Sequence, residues 1–467
     1  MIFSGITFLY LFFPIVLLLY AVVPKTWKNH VLLAASLLFY FCGEPVYVTL
    51  LIFSSFSDFF ISTYIERHRG ERKAKYALIL SIIINLGLLG FFKYTDFLIG
   101  TVNDILGTSI PLVKVPLPVG ISFFTFQTMS YTIDVYRGDA HAEPNFATFA
   151  TFVCLFPQLV AGPIVRYTDI SRELHERTTT SDDVFLGIRR FAFGLGKKVL
   201  LANALGELVS TFRAANENSV VFYWLYAVAY CLQVYFDFSG YSDMAIGIGR
   251  IFGFHFPENF NYPFISKSIT EFWRRWHMTL GAWFRDYLYI PMGGNRVKKS
   301  RWFLNIFVVW ATTGLWHGAA FNFILWGVYF GILLTLEKLF LLKWVEKLPA
   351  FLRHIYLLFI VMISFVIFNA ASMPEILTDI GGLFGLGKLP LISSETLYYL
   401  RSNAVLIILG CIGATPLMRN LARKLEENAV GAKVSAVLTP VVTAILLIVC
   451  TAYLVDGSFN PFLYFRF

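Results

Sequence analysis

Residues 261–296, NYPFISKSITEFWRRWHMTLGAWFRDYLYIPMGGNR, and residues 303–331, FLNIFVVWATTGLWHGAAFNFILWGVYFG, form the stretch around which the chain is organised. The stretch contains two histidines, His277 and His317, and each of them follows a tryptophan. His317 lies within an apolar run that is long enough to cross a bilayer. Hydrocarbon cannot solvate an ionisable side chain, so a histidine at that depth is a candidate for function.

The composition is that of a membrane protein. The chain has 467 residues, of which 57% are hydrophobic and 14% are charged, whereas soluble proteins carry about 25% charged residues. The net charge of +9 comes mostly from Lys and Arg between apolar runs, where such residues orient a membrane protein, so a nucleic-acid partner is not expected. The five cysteines are scattered and form no CxxC pair, so no metal site is expected.

Apolar runs recur along the whole chain and predict an all-α, polytopic membrane protein. Spans of about 20 residues give roughly 11 or 12 crossings in a single membrane domain, residues 1–467. Pro and Gly interrupt residues 115–136 and 146–166, which favours broken or re-entrant segments there. The basic residues after the first run, residues 3–23, and in residues 66–75 place those loops in the cytoplasm.

The segment around His277 is predicted to form one helix over residues 270–286. His277 then lies on the same face as Trp273, whereas Arg274 and Arg285 lie on another face. An aromatic face beside a cationic one suits a phosphorylated or acidic donor that meets a membrane cavity; an interfacial helix whose arginines contact lipid phosphates is the alternative. The candidate donor-binding residues are Trp273, Arg274, Arg275, Trp276, Arg285, Trp316 and Asn261.

His317 is predicted to lie on a continuous helix, with Phe321 and Ile324 along its face. Burial and nearby cations favour the neutral imidazole, which is the form that accepts a proton. A buried histidine that is hydrogen-bonded between helices is the alternative. The sequence has no GxSxG, HExxH or Walker A motif, which favours direct attack of a hydroxyl on an activated acyl group, with histidine as the base.

Several motifs resemble those of the membrane-bound O-acyltransferase (MBOAT) family, above all its bacterial members that O-acetylate alginate and other exopolysaccharides. These motifs are FDFSGYSD, WRRWH, FRDYLYIPMGGNR, TGLWHG, PLPVGISFFTFQTMSYTIDVYRG and FPQLVAGPI. The resemblance covers nearly the whole chain. It implies a helical bundle with a funnel open to the cytoplasm, in the bacterial cell membrane. It also implies an acyl donor, acetyl-CoA or an acyl-carrier thioester, with no tightly bound cofactor.

The resemblance also implies roles for the two histidines. His317 matches the intramembrane histidine of the family and would activate a hydroxyl for attack on the acyl thioester. His277 matches the more polar partner position and would position the acyl group or the base. The acyl group would cross the membrane to an extracytoplasmic partner, an SGNH-type or similar acyltransferase, for O-acylation of an extracellular or cell-wall polysaccharide.

The C-terminal residues PFLYFRF have the form F-x-Y-x-x-F, with Phe462, Tyr464 and Phe467 at the fixed positions. They resemble a C-terminal motif of a small subunit in teichoic-acid D-alanylation systems. Our topology places this tail, residues 462–467, outside the cytoplasm. The Tyr464 phenol would then carry the acyl group as an aryl ester, a good donor because phenol has a pKa of about 10. An aromatic anchor at the membrane interface is the alternative.

Two other functions stay open at this point. Within the same family, D-alanyl transfer from a carrier protein would serve teichoic acid modification, although the built-in tail favours polysaccharide acetylation. A transporter of polysaccharide or ions is an alternative of another class. Broken helices and the intramembrane aspartates support it, whereas neither half of the chain repeats the other. These aspartates are Asp58, Asp134, Asp237 and Asp243.

Overall fold

The computed structural model describes residues 1–215, 218–457 and 463, and within these ranges every regular element is a helix. The predicted all-α class is therefore confirmed. The α-helices are α1 (Phe13–Val22), α2 (Lys28–Phe41), α3 (Val48–Arg67), α4 (Arg72–Leu106), α5 (Ile121–Arg137), α6 (Phe146–Cys154), α7 (Phe156–Leu159), α8 (Tyr167–His175), α9 (Ser181–Gly196), α10 (Asn203–Ala214), α11 (Val220–Ile251), α12 (Ile269–Trp273), α13 (Met278–Phe284), α14 (Lys299–His317), α15 (Phe321–Leu336), α16 (Leu342–Val345), α17 (Ala350–Asn369), α18 (Met373–Leu383), α19 (Ser394–Ser402), α20 (Ala404–Gly413), α21 (Leu417–Glu426) and α22 (Ala429–Val455).

Six short helical segments of other geometry lie between or before these helices. Two are 3₁₀ turns, Lys25–Trp27 and Pro263–Ile265. The other four are π-helical, with a wider turn than an α-helix: Phe8–Phe12, Lys197–Ala202, Arg285–Tyr289 and Glu337–Leu341.

Six helices in the described part of the chain are long and apolar enough to cross a membrane. The number becomes seven if α19 and α20, which are bent by 54° relative to each other, count as one span. This is fewer than the 11 or 12 crossings predicted. The first apolar run contains a helix only from Phe8 to Val22, which is short for a span. Residues 146–159 break at Leu155 before Pro157, in the region where a broken segment is predicted. The chain is a multi-pass membrane protein.

The chain divides into two compact units, and unit 1 comprises residues 1–191 and 244–257. Phenylalanines fill its core. The Phe8 ring lies with its centroid 6.0 Å from that of Phe39 and 6.2 Å from that of Phe156. The prediction that residues 1–467 form a single membrane domain stays a prediction.

A buried carboxylate lies among the helices of unit 1. Asp58, one of the predicted intramembrane aspartates, accepts hydrogen bonds from the Ser81 hydroxyl at 2.6 Å and from the Asn85 amide at 2.8 Å. The Thr128 hydroxyl in turn donates to the side-chain oxygen Oδ1 of Asn85 at 3.0 Å. These partners satisfy the buried carboxylate with neutral donors, as a membrane interior requires.

Unit 2 comprises residues 192–243 and the described residues from 258 onward. Its core gathers around α11 and α17, with aromatic side chains such as Tyr230 and Phe365 fully or almost fully buried. Helices α14 and α15 form a hairpin against this core, and two glycines make their close approach possible. A Cβ atom on Gly314 would collide with the carbonyl oxygen of Phe323, and one on Gly327 with that of Trp310.

We expect Gly314→Ala to lower the stability of the folded protein. The added methyl group must push α14 and α15 apart, and overpacking of this kind costs about 1–3 kcal/mol. The measurement is the thermal midpoint of the solubilised protein, followed by size-exclusion chromatography. Gly90→Ala in α4 is the control, because no atom lies within 4 Å of its Cβ position. Equal midpoints for the two variants would contradict the prediction.

Candidate active site

The chain around His277 is broken, and the predicted single helix over residues 270–286 is wrong. Helix α12 ends at Trp273, and α13 begins at Met278. His277 between them has φ 43° and ψ 54°, in the left-handed region. A residue with a side chain is uncommon there, although histidine is among the more frequent ones. Such strain of about 1–3 kcal/mol persists only where surrounding contacts fix the backbone.

Asn259 provides those contacts. Its backbone carbonyl accepts the Met278 N–H at 2.9 Å, and its side-chain oxygen accepts both the Nδ1–H of His277, at 3.1 Å, and the Thr279 hydroxyl, at 2.9 Å. The proton of His277 therefore lies on Nδ1, which leaves the lone pair on Nε2. His277 Nε2 is buried and has no hydrogen-bond partner among the described residues. Sequence reasoning missed Asn259.

A second long-range contact fixes the start of α12. The carboxylate of Glu337 accepts the N–H groups of Ile269 and Thr270, each at 2.8 Å, and Glu337 is itself buried. The first N–H groups of a helix have no partner within the helix, and an anion there is favourable. Glu337 thus anchors the segment that carries His277. No sequence pattern predicts this contact.

A cavity of about 640 Å³ opens beside His277. Trp273, Arg274 and Arg285 line it together with His277. The break before α13 therefore brings the aromatic and cationic side chains to one cavity, whereas the helix prediction had put them on different faces. From α14 the cavity is lined by residues at helical spacing: Ile306, Val309, Trp310 and Thr313. The same helical face leads one turn further to His317.

Cations gather in this cavity. Arg274 is exposed and has no ion-pair partner among the described residues, whereas Arg285 is paired with Asp286 at 2.6 Å. Lys338, which sequence reasoning missed, also lines the cavity, 5.9 Å from the centroid of the Tyr289 ring. The cavity therefore combines an apolar wall with groups that attract an anion.

His317 is the last residue of α14, and the predicted continuous helix is wrong at this point too. Gly318 is extended, and Phe321 and Ile324 belong to α15. His317 Nδ1 donates to the carbonyl oxygen of Thr313 at 2.7 Å. This bond fixes the tautomer with the proton on Nδ1, so that Nε2 carries the lone pair.

A second cavity of about 20 Å³ lies at His317. Its wall includes Asp237, Trp276, Trp326 and Leu463. Trp326 is buried, and its ring centroid lies 4.9 Å from that of His317. Its indole N–H has no hydrogen-bond partner among the described residues. This donor is therefore available to a ligand beside the histidine.

The structure brings the two histidines close together, with Trp316 beside both. The Trp316 ring centroid lies 5.9 Å from that of His277 and 5.1 Å from that of His317. Each cavity presents one histidine, and Trp316 lies beside both of them.

Two other predicted residues lie elsewhere, and a third is not among the described residues. Arg275 is paired with Glu271 at 3.0 Å, and its backbone carbonyl accepts the N–H of exposed Asn261 at 2.9 Å. Neither Arg275 nor Asn261 lines one of the two cavities. Tyr464 lies outside the described residues.

Two ion pairs explain two sequence motifs at once. Lys197 pairs with Asp243, and Lys198 pairs with Asp237, each at 2.6 Å. The lysines of GLGKKV therefore meet both aspartates of FDFSGYSD. A Cβ atom on Gly240 would lie 2.8 Å from the carbonyl oxygen of Gly194, so the glycine lets the two segments approach.

The pKa of His277, which lies outside the candidate membrane-spanning helices, gives a testable pH dependence. Burial, with a smaller contribution from His317, lowers this pKa well below its usual value. Below about pH 6.5 the unfolded chain gains a proton that the folded protein does not bind. We therefore expect stability to fall as the pH drops below about 6.5, by at most about 1.4 kcal/mol per pH unit from this group.

Thermal midpoints between about pH 5 and pH 8 measure this effect. His277→Asn is expected to flatten the acid side of the profile, because it removes the titrating group. The exposed His30 provides the control variant His30→Asn. An unchanged acid slope in His277→Asn would be evidence against the prediction.

Comparisons with known proteins agree with this architecture. The sequence pattern of MBOAT, the membrane-bound O-acyltransferase family, matches residues 112–373. The chain is 36% identical to the probable alginate O-acetylase AlgI of Azotobacter vinelandii over 100% of both chains. It is 33% identical to the peptidoglycan O-acetyltransferase of Helicobacter pylori, over 89% of this chain and 86% of that one. The teichoic acid D-alanyltransferase of Bacillus subtilis is 32% identical over 49% of this chain and 60% of its own.

The resemblance found in the motifs is therefore confirmed, and so is the prediction of an enzyme that transfers acyl groups to hydroxyls. The match covers both histidines and, apart from Leu463, every residue that lines the two cavities. By full-length similarity and by family pattern, this chain belongs to the membrane-bound O-acyltransferase family.

Proposed function

We propose that the protein transfers a short acyl group, with acetyl favoured, from a cytoplasmic thioester across the bacterial cell membrane for O-acylation of an extracellular or cell-wall polysaccharide. The observation that carries the proposal is the pair of cavities at the two histidines. The larger contains His277 and cations, and the smaller contains His317 and Leu463.

The larger cavity suits the donor. Arg274 and Lys338 can bind phosphate oxygens of coenzyme A or of a phosphopantetheine arm, while the apolar wall takes the arm itself. Lys298 precedes α14, Lys299 is its first residue, and Lys338 lies in the π-helical turn that follows α15. Basic residues at these helix ends favour a cytoplasmic position for this end of the cavity. The donor is a substrate, and no tightly bound cofactor is part of the proposal.

The chemistry follows from the tautomer of His317. Nε2 accepts the proton of the attacking hydroxyl, the hydroxyl oxygen forms a bond to the thioester carbonyl carbon, and the carbon–sulfur bond breaks. The proton then passes to the leaving thiolate. The N–H of Trp326 can donate to the carbonyl oxygen as negative charge develops there. His277 Nε2, buried at the end of the donor cavity, is suited to positioning the acyl group.

The tyrosine of the tail is proposed as the first acceptor. Leu463, the residue before Tyr464, lines the cavity with His317. Acylated Tyr464 would pass the group to an extracytoplasmic partner of the SGNH type or similar, which acylates the polymer. The names of the full-length relatives, alginate O-acetylase and peptidoglycan O-acetyltransferase, support acetyl transfer within a system that modifies a polysaccharide.

D-Alanyl transfer is the second candidate, because the teichoic acid D-alanyltransferases are also relatives, although the similarity spans about half of this chain. A transporter has less support. Asp237 and Asp243 are each paired with a lysine, whereas a coupling-ion site would leave carboxylate oxygens for the ion.

The test uses the purified chain in proteoliposomes with labelled acetyl-CoA on one side. Label is expected on the protein and then on added polymer and partner. Failure with acetyl-CoA but transfer from a D-alanyl carrier protein would select the second candidate. Proton- or ion-coupled uptake without acyl transfer would overturn both.

Arg274→Gln is expected to raise the KM for acetyl-CoA about tenfold with little change in kcat, because one charge-assisted hydrogen bond contributes about 1.5–3 kcal/mol. The adjacent Arg275→Gln is the matched control, since Arg275 is already paired with Glu271 and does not line the cavity. Initial rates at varied donor concentration measure both constants. Equal KM values in the two variants would remove Arg274 from the donor site.

A further inference from the structure

The carboxylate of Asp237 makes two contacts of different kinds in the middle of α11. Its Oδ1 lies 2.6 Å from Lys198 Nζ, and its Oδ2 accepts the backbone N–H of Leu463 at 3.0 Å. Asp237 is 1% exposed and Leu463 is 6% exposed. The contact joins residues 226 positions apart and ties Leu463 to α11.

Leu463 is held on two sides. Its N–H meets the charged oxygen, and its side chain belongs to the hydrophobic core that also contains Trp276, Trp326 and Phe368. A hydrogen bond to an ionised acceptor is roughly twice as strong as one between neutral groups, and low polarity strengthens it further. Together these contacts hold Leu463 on its backbone and on its side chain, and Leu463 lines the same cavity as His317.

We infer that Asp237 is a positioning residue that fixes Leu463 beside His317. Lys198 holds one carboxylate oxygen, so that the other is directed at the N–H of Leu463. The residue that precedes the proposed acyl acceptor is then held at the cavity before the donor binds. This inference rests on the proposed function, in which Tyr464, the next residue, receives the acyl group.

The neighbouring pair of Lys197 and Asp243 is a built-in comparison. It is also a lysine–aspartate pair with a 2.6 Å distance. Lys197 is adjacent to Lys198, and Asp243 lies six residues after Asp237. Asp243 does not line the cavity at His317. The amide exchange rate of Leu463 should therefore respond to substitution of Asp237 and not to substitution of Asp243.

The experiment measures amide hydrogen exchange of Leu463 in the full-length protein by mass spectrometry. Removing Asp237 alone would leave the buried charge of Lys198, which is strongly destabilising, so both variants also carry Lys198→Met. Asp237→Asn keeps an acceptor oxygen, whereas Asp237→Ala removes it. We expect exchange at Leu463 to be at least tenfold faster in Asp237→Ala/Lys198→Met than in Asp237→Asn/Lys198→Met. The control Asp243→Asn/Lys197→Met should exchange at Leu463 as the wild type does.

Equal exchange rates at Leu463 in the Ala and Asn variants would overturn the inference, because the acceptor oxygen would then not hold the segment. Exchange needs no acyl donor, so this result does not depend on the proposed function. Acyl transfer adds a second readout: Asp237→Ala/Lys198→Met should have a kcat at least tenfold below that of Asp237→Asn/Lys198→Met, with the same KM for the donor. Loss of transfer with no difference in exchange would assign Asp237 a different role and would also overturn the inference.

Discussion

Replacing His317 with glutamine is expected to abolish acyl transfer while the folded protein remains in the membrane. Glutamine can keep a hydrogen bond in the place of the imidazole but cannot take a proton from a hydroxyl. General-base catalysis contributes about 10²- to 10⁴-fold, so the rate should fall by at least about 100-fold. Initial rates with labelled acetyl-CoA, normalised to the amount of folded protein, measure the loss.

His317→Ala should be as inactive, but it also leaves a cavity next to Trp326, which adds a cost in stability. The glutamine variant therefore separates chemistry from folding. His354→Gln is the control, because His354 is half-buried and its Nδ1 bonds the Ser266 carbonyl oxygen at 3.0 Å, away from both cavities. Full transfer by His317→Gln at normal protein levels would exclude His317 as the base.

The second large effect is expected from Tyr464→Phe, which removes a single oxygen atom. Without the phenol, the acyl group has no first acceptor, and acylation of the polymer should fall below detection. The labelled C-terminal peptide expected in the wild type should also be absent. Hydroxylamine cleaves an aryl ester but not an amide, so loss of the label on hydroxylamine treatment separates these two linkages.

Tyr453→Phe is the matched control, since Tyr453 lies on α22 and is 52% exposed. The same substitution there should leave transfer unchanged. Normal polymer acylation by Tyr464→Phe would remove the relay and leave the tail as a membrane anchor. Loss of acylation in His317→Gln but not in Tyr464→Phe would mean that the acceptor hydroxyl belongs to another molecule.

The sequence was sufficient for the fold class because composition and apolar length are properties of whole segments. It was insufficient at both histidines. Periodicity treats residues 270–286 as one helix, but it contains no information on the sign of φ, and His277 has a positive φ. The contacts that hold this break come from Asn259, 18 residues away, and from Glu337, 68 residues from Ile269.

The same limit explains the residues that were missed. Lys338 follows an apolar run and reads as an ordinary helix end, yet it lines the donor cavity. Lys197 and Lys198 lie about 40 residues before Asp237 and Asp243, and no sequence pattern links segments at that separation. The tryptophans and arginines of WRRWH were found because their type is unusual in a membrane, and three of the four line one of the two cavities.

The π-helical turns have an evolutionary consequence. Three of them, Lys197–Ala202, Arg285–Tyr289 and Glu337–Leu341, begin at the candidate site. The first contains Lys198, which pairs with Asp237, the second begins with Arg285, which lines the larger cavity, and the third begins with Glu337, which anchors α12. A π-turn is equivalent to one residue inserted into an α-helix, and each inserted residue rotates the following side chains by about 100°. Single-residue insertions are thus the smallest genetic step by which an inert helical scaffold can redirect a lysine or an arginine from lipid toward a reaction.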